Sequence, residues 1–168
     1  MEWSEGKTKF IEAWGKIGSE WGVNRTMAQV HALLMLSPEP LSTEEVMGEL
    51  QISRGNANMT LRELIDWGLV DKRLKPGERK EYFYADKDVY AIAKKVARER
   101  RRRELEPVIN ILDELSAIEG DQNDPHYATF NKMVTDINQF SKNVDKALDT
   151  MLKADENWFF NLILKFMK

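Results

Sequence analysis

The sequence predicts a mainly α-helical chain with one small β-hairpin. Three observations carry that expectation. Two short amphipathic segments follow one another between Leu41 and Trp67, each opened by a serine at the N-cap position. A glycine, Gly68, closes the second. Two strand-like runs then flank a Pro-Gly bend. Helix, turn, helix and hairpin in that order describe a winged helix-turn-helix. The long amphipathic stretches after residue 88 add a C-terminal helical region, read as a dimerisation region.

The first helix is expected over residues 4–21. Phe10, Trp14, Ile17 and Trp21 recur at one-face spacing and form an aromatic stripe that needs a large partner surface. Packing on the same chain and packing on a second subunit both satisfy it; we favour one that includes a second subunit. The second helix runs from about Arg25 to Leu36, capped by Asn24 or Thr26. It buries Met27, Val30, Leu33 and Leu34 and stops at Ser37-Pro38-Glu39-Pro40. His31 lies among its apolar residues, where a lone histidine is more often structural than a ligand or proton sensor.

Ser42 and Glu45 form a capping box for the third helix. Ser53 caps the fourth, in which Ala57, Leu61 and Leu64 make the buried stripe. The opposite face carries Gly55, Met59 and Arg62, flanked by Asn56, Asn58 and Glu63. A solvated face of no special purpose is usually richer in Lys and Glu. Asn and Arg can each make paired hydrogen bonds to base edges, and glycine lets the backbone come close. The candidate groove-reading residues are therefore Ser53, Arg54, Gly55, Asn56, Asn58, Met59 and Arg62. The hairpin is expected from residues 69–74 and 81–84. At its tip Lys75, Arg79 and Lys80 could reach phosphates or the minor groove.

These residues resemble a known family. Residues 25–85 are similar to the DNA-binding domain of the MarR superfamily. Ser53-Arg54-Gly55-Asn56, Asn58-Met59 and Leu61-Arg62-Glu63-Leu64-Ile65-Asp66-Trp67-Gly68-Leu69-Val70 resemble more specifically its GbsR-type branch. The likeness extends to Phe10-Ile11-Glu12-Ala13-Trp14-Gly15 and Trp21-Gly22, and covers about the first 90 residues. It implies a homodimeric, ligand-responsive transcriptional regulator, most simply a repressor, on double-stranded DNA. Some such relatives respond to choline or glycine betaine. A quaternary ammonium effector would be held by aromatic faces, for which Trp14, Trp21, Trp67, Tyr82, Tyr84 and Tyr90 are the candidates. Plain core and hairpin packing of these rings is the competing reading.

After Asp88 a long helix is expected to about Glu119, with Pro107 kinking or restarting it. Lys94 to Arg103 contains seven cations and one anion. They either add to DNA attraction or pair with the acidic C-terminal part. Asp124-Pro125 opens a further helix to about Lys153. Phe130, Met133, Ile137, Phe140, Val144, Ala147 and Met151 give it a heptad seam, which packs either on residues 105–118 or on another copy. A last apolar helix is expected from Asp155, inserted into a dimer interface rather than lying on a membrane. The organisation is thus an N-terminal helix over 1–24 that joins the dimerisation region, a winged domain over 25–87, and helices over 88–168.

Composition sets the limits. The net charge is −3, but it is unevenly spread. Residues 1–103 hold 19 Lys and Arg against 16 Asp and Glu, and residues 104–168 hold 6 against 12. The basic part is the one assigned to DNA. With no cysteine there are no disulfides, thiolate metal sites or cysteine nucleophiles, which fits the cytoplasm. There is no signal-peptide pattern at the N-terminus and no membrane-spanning apolar run. No metal-spacing histidine pair, phosphate loop or nucleophile motif is present, so neither an enzyme nor a cofactor is expected. The alternative function is a winged-helix module that binds protein instead of specific DNA.

Overall fold

The computed structural model describes residues 2–154. Its chain runs α1 (Trp3–Glu20), α2 (Arg25–Leu36), β1 (Leu41–Ser42), α3 (Thr43–Leu50), α4 (Arg54–Asp66), β2 (Val70–Leu74), β3 (Glu81–Ala85), α5 (Val89–Arg100), α6 (Glu106–Ser116) and α7 (Pro125–Lys153). The fold is the expected mainly helical one with a small antiparallel sheet. It divides into a first unit ending at Lys95 and a second beginning at Val96.

In the first unit, local chemistry fixes where each helix begins and ends. Asn24 Oδ1 accepts from the Met27 N–H and starts α2. The Ser42–Glu45 capping box is complete: the Glu45 N–H donates to Ser42 Oγ at 3.3 Å, and the Ser42 N–H donates to Glu45 at 2.7 Å. Helices α1 and α4 end alike. Gly22 and Gly68 take left-handed backbone at φ 76° and 69°, and the residue after each donates back across the turn, Val23 to Gly18 and Leu69 to Leu64.

The core is built on α2, whose Met27, Val30, Leu33 and Leu34 are buried with Val46 of α3, Leu61 and Leu64 of α4, and Val70 and Phe83 of the sheet. Burying each of these large side chains contributes about 1.5–3 kcal/mol against leaving it in water. His31 shares this core at 4% exposure. Burial, and then the charge of Lys95, pull its pKa down to about 4, so it is neutral near pH 7.

Helix α1 meets α2 through Ile11, Gly15 and Gly18 rather than through its aromatic stripe. A Cβ on Gly18 would stand 2.6 Å from the Ala28 Cβ, and one on Gly15 would stand 2.7 Å from the Gln29 side chain. The two helix backbones therefore need glycine to come this close. The stripe is left largely open: Phe10, Ile17 and Trp21 are exposed, and only Trp14 is half-buried, stacked on Phe10 at 5.6 Å.

The sheet has strand order β1-β3-β2. Strand β1 was not expected from sequence; it pairs Leu41 with Phe83 and Ser42 with Tyr82. Strands β2 and β3 form the hairpin, in register from Val70 opposite Ala85 to Leu74 opposite Glu81.

In the second unit the expected kink at Pro107 takes another form. Between α5 and α6, residues Arg101–Leu105 make a π-helical turn, and the Glu106 N–H donates to the Arg101 carbonyl. Pro107, near the start of α6, has no N–H, and a proline ring crowds the carbonyl four residues back. Widening the preceding turn relieves that crowding without breaking the helix. Helix α6 ends at Ser116, earlier than expected.

Helix α7 begins as expected, with Asp124 accepting from the His126 N–H and Pro125 in the first turn. It does not pack on α6 through the heptad seam. The face it buries carries Val134, Asn138 and Ser141. Asn138 donates to Asp113 at 2.8 Å, Lys142 pairs with Asp113 at 2.5 Å, and Arg101 pairs with Asp145 at 2.6 Å. The inside of this helical hairpin is thus mixed, with Leu112 and Val134 buried beside Asn138 and Ser141. Phe130, Met133, Ile137 and Phe140 of the seam are exposed, Phe140 at 69%. The expected last helix lies outside the described residues.

Candidate nucleic-acid interface

Ser53 caps α4 by accepting from the Asn56 N–H at 3.3 Å. Ala57, Thr60, Leu61 and Leu64 turn inward and are almost fully buried. That rotation sets the opposite face outward. Arg54, Gly55, Asn58, Met59 and Arg62 are all exposed, Met59 at 59%. A large apolar side chain at the middle of an exposed polar face suits contact with a thymine methyl. Asn56, expected to flank this face, is half-buried, and its Oδ1 accepts from Thr60 Oγ1 at 3.4 Å.

The hairpin turn is Lys75-Pro76-Gly77-Glu78. The Glu78 N–H donates to the Lys75 carbonyl at 3.0 Å, and Gly77 takes φ 83°, the left-handed third position of a type II turn. Every residue from Asp71 to Glu81 is exposed, so Lys75, Arg79 and Lys80 all reach solvent. Along β3, Tyr82 and Tyr84 lie on one face. Lys75 Nζ sits 3.9 Å from the centre of the Tyr82 ring, and Arg73 Cζ sits 4.4 Å from that of Tyr84. Tyr82 Oη donates to Glu78 at 2.5 Å, which holds the phenol proton on and raises its pKa.

One residue outside the expected set joins helix and hairpin. Glu44, in the first turn of α3, places Oε1 2.9 Å from Arg54 Nη2 and Oε2 4.0 Å from Lys80 Nζ. Its own backbone N–H, followed by Lys80 and Arg54, holds its carboxyl below the usual range. No local pattern announces this contact, because the three residues are far apart in sequence and meet only through the fold.

The run of cations after Lys94 is largely engaged with carboxylates of its own chain. Arg102 and Arg103 both pair with Glu99 at 2.5 Å, pulling that buried carboxyl down to about 2. Arg100 pairs with Glu104 at 3.0 Å, Arg101 with Asp145 and Asp149, and Lys95 with Asp86 at 3.3 Å.

The six aromatic effector candidates are spread over several elements. Trp14 and Trp21 belong to α1, Trp67 follows α4, Tyr82 and Tyr84 share β3, and Tyr90 opens α5. Tyr82, Tyr84 and Tyr90 already lie under Lys75, Arg73 and Lys94. A quaternary ammonium ligand would have to displace these cations. Among the described residues no helix is long and apolar enough to cross a membrane.

The segment that builds this interface is also the one that matches a family model. Residues 21–81 match the model of the MarR family. The MarR match spans α2, both helices of the helix-turn-helix and the hairpin up to the first residue of β3, and stops before the C-terminal helices. A solved structure described as a transcriptional regulator is similar with a TM-score of 0.66 at 19% identity, covering 88% of this chain and 95% of that one. That likeness speaks for the fold. Two mutants of S. aureus MepR, one bound to an oligodeoxyribonucleotide, are more distant, with TM-scores of 0.41 and 0.38 at 12% and 16% identity, each covering 80% of this chain and 91% of theirs. No curated protein matches the chain.

Proposed function

We propose that this chain is a sequence-specific transcriptional regulator that binds double-stranded DNA as a homodimer, with α4 in the major groove and the hairpin tip on the backbone or minor groove. The observation that carries this reading is the outward face of α4: Arg54, Asn58, Met59 and Arg62 project away from the core beside a wholly exposed basic hairpin. The common contact of Arg54 and Lys80 with Glu44 shows that the helix N-terminus and the hairpin are neighbours. The MarR match over this segment supports the reading. A protein-binding winged helix would be expected to present an apolar or acidic surface here instead.

Dimerisation draws support from the open aromatic stripe of α1 and the open seam of α7, exposed apolar side chains that recur along one helix face and suit contact with a second copy. A two-fold dimer would meet an imperfect palindrome with half-sites about one helical turn apart, roughly 10–10.5 base pairs. Selecting bound fragments from a random duplex pool tests the function. Enrichment of an inverted repeat is the expected result, and binding without any enriched sequence refutes specificity. Sedimentation equilibrium giving a monomer at micromolar concentration refutes the dimer. Ligand control of the GbsR-type kind is the remaining part of the proposal. It is tested by titrating choline and glycine betaine against DNA affinity and Trp fluorescence, and millimolar ligand without a saturable change removes it.

A further inference from the structure

Glu44 stands where the two DNA-facing elements meet, and it carries the wrong sign for contact with DNA. We propose that Glu44 is an internal competitor of the DNA backbone: in the free protein it neutralises Arg54 of α4 and Lys80 of the hairpin, and a phosphate must displace it from both. This rests on the DNA-binding reading above.

Glu44 takes its own backbone N–H in the first turn of α3, but the cap of that helix does not depend on it. The cap of α3 is supplied by Ser42 and Glu45, whose hydrogen bonds are complete without it. Arg54, Lys80 and Glu44 keep 64%, 60% and 45% of their side-chain surface exposed, so the two ion pairs are solvated and easily exchanged. One carboxylate spans the two cations, at 2.9 Å and 4.0 Å, as a backbone phosphate with its several oxygens could. The contact joins α3, α4 and the hairpin, so displacing Glu44 frees cations of two elements in one step.

The consequence for binding follows from charge. With Glu44 ionised the three groups bring a net charge of +1 to the DNA, and without it +2. Each additional neutralised phosphate steepens the dependence of log K on log salt by about 0.9, which at about 0.1 M salt corresponds to roughly eightfold in affinity. Arg54 lies at the N-terminal end of α4 and Lys80 at the hairpin; where they meet phosphates, which carry no sequence information, operator and random DNA are affected alike. Glu44 thus shortens residence on every sequence and limits trapping on non-operator DNA.

The test is Glu44→Gln, which keeps shape and removes charge. Binding of the full chain to a random-sequence duplex is measured across a salt series, with thermal unfolding as the control for folding. The variant is expected to bind roughly eightfold more tightly at about 0.1 M salt, with a slope steeper by about 0.9. Adding Arg54→Ala and Lys80→Ala to the same chain is expected to abolish that gain relative to the double variant that retains Glu44. A Glu44→Gln protein that matches the unsubstituted one in slope and affinity overturns the proposal. So does weaker binding, which would make Glu44 a support that holds Arg54 in place for DNA. If the unsubstituted protein shows no salt-dependent binding to any duplex, the DNA-binding reading itself falls and this one with it.

Discussion

Acid should destabilise this protein through His31 before its carboxylates begin to titrate. The ring is buried in the α2 core, and its Nε2 has no hydrogen-bond partner among the described residues. Its pKa falls from 6.5 to about 4 on folding, chiefly through burial and then through Lys95. Protonation therefore favours the unfolded chain. The histidine costs nothing above about pH 6.5, and stability is lost progressively as pH falls from there toward 4. The gap of about 2.5 units between those two values amounts to roughly 3 kcal/mol in all. Roughly 2 kcal/mol of that is already lost near pH 5. Carboxylates held low by their partners, such as Asp113, Asp145 and Glu99, lose their contribution only at lower pH, as it falls toward their folded values. Urea unfolding near pH 7 and near pH 5 separates the two effects when the protein is compared with His31→Leu. The unsubstituted protein should lose roughly 2 kcal/mol more than the variant between these conditions. Equal losses would show that His31 is hydrated or paired, and would refute the reasoning.

Gly18→Ala should destabilise. The added Cβ meets the Ala28 Cβ at 2.6 Å, and overpacking of about 1–3 kcal/mol outweighs the roughly 1 kcal/mol gained in helix propensity; a raised melting temperature would contradict the close approach of α1 and α2. Arg79→Ala with Lys80→Ala should weaken binding to every DNA sequence and flatten its salt dependence. Asn58→Ala or Arg62→Ala should instead cost roughly 1–3 kcal/mol on the preferred site alone, and parallel losses in both sets, read by competition binding, would contradict the division of roles. Phe140→Lys places a charge on the open seam of α7 at a residue that is already 69% exposed. It should leave the helical content unchanged and shift sedimentation toward the monomer, whereas an unaltered dimer would move the interface elsewhere.

The parts of the fold legible in the sequence are those fixed by neighbours along the chain. Asn24, Ser42, Ser53 and Asp124 each satisfy N–H groups two or three residues on, so composition alone located four helix starts. Gly68 and Gly77 marked left-handed turns for the same reason. The buried stripe of α4 was legible because its period is that of a helix, and its outward face followed by rotation.

The parts missed depend on distant partners. Strand β1 is two residues long and exists only because β3 lies beside it. The role of Gly15 and Gly18 in α1 appears only once α2 is placed against them. In α7 the eye follows the apolar period of Phe130, Met133, Ile137 and Phe140, yet the face turned to α6 holds Asn138 and Ser141. Asn138 and its neighbours meet partners on α6, and no pattern within α7 reveals them.

Ser42 ends β1, where it pairs with Tyr82 of the hairpin, and it is also the residue that caps α3. The hairpin therefore cannot swing away as a free flap without losing the first turn of the helix-turn-helix. Amide hydrogens at the β1–β3 junction and in the first turn of α3 should exchange with solvent in one cooperative opening, at a common free energy, while the exposed turn around Gly77 opens independently and at lower cost. Any force that DNA applies to the hairpin is thereby delivered to the helix that carries Glu44.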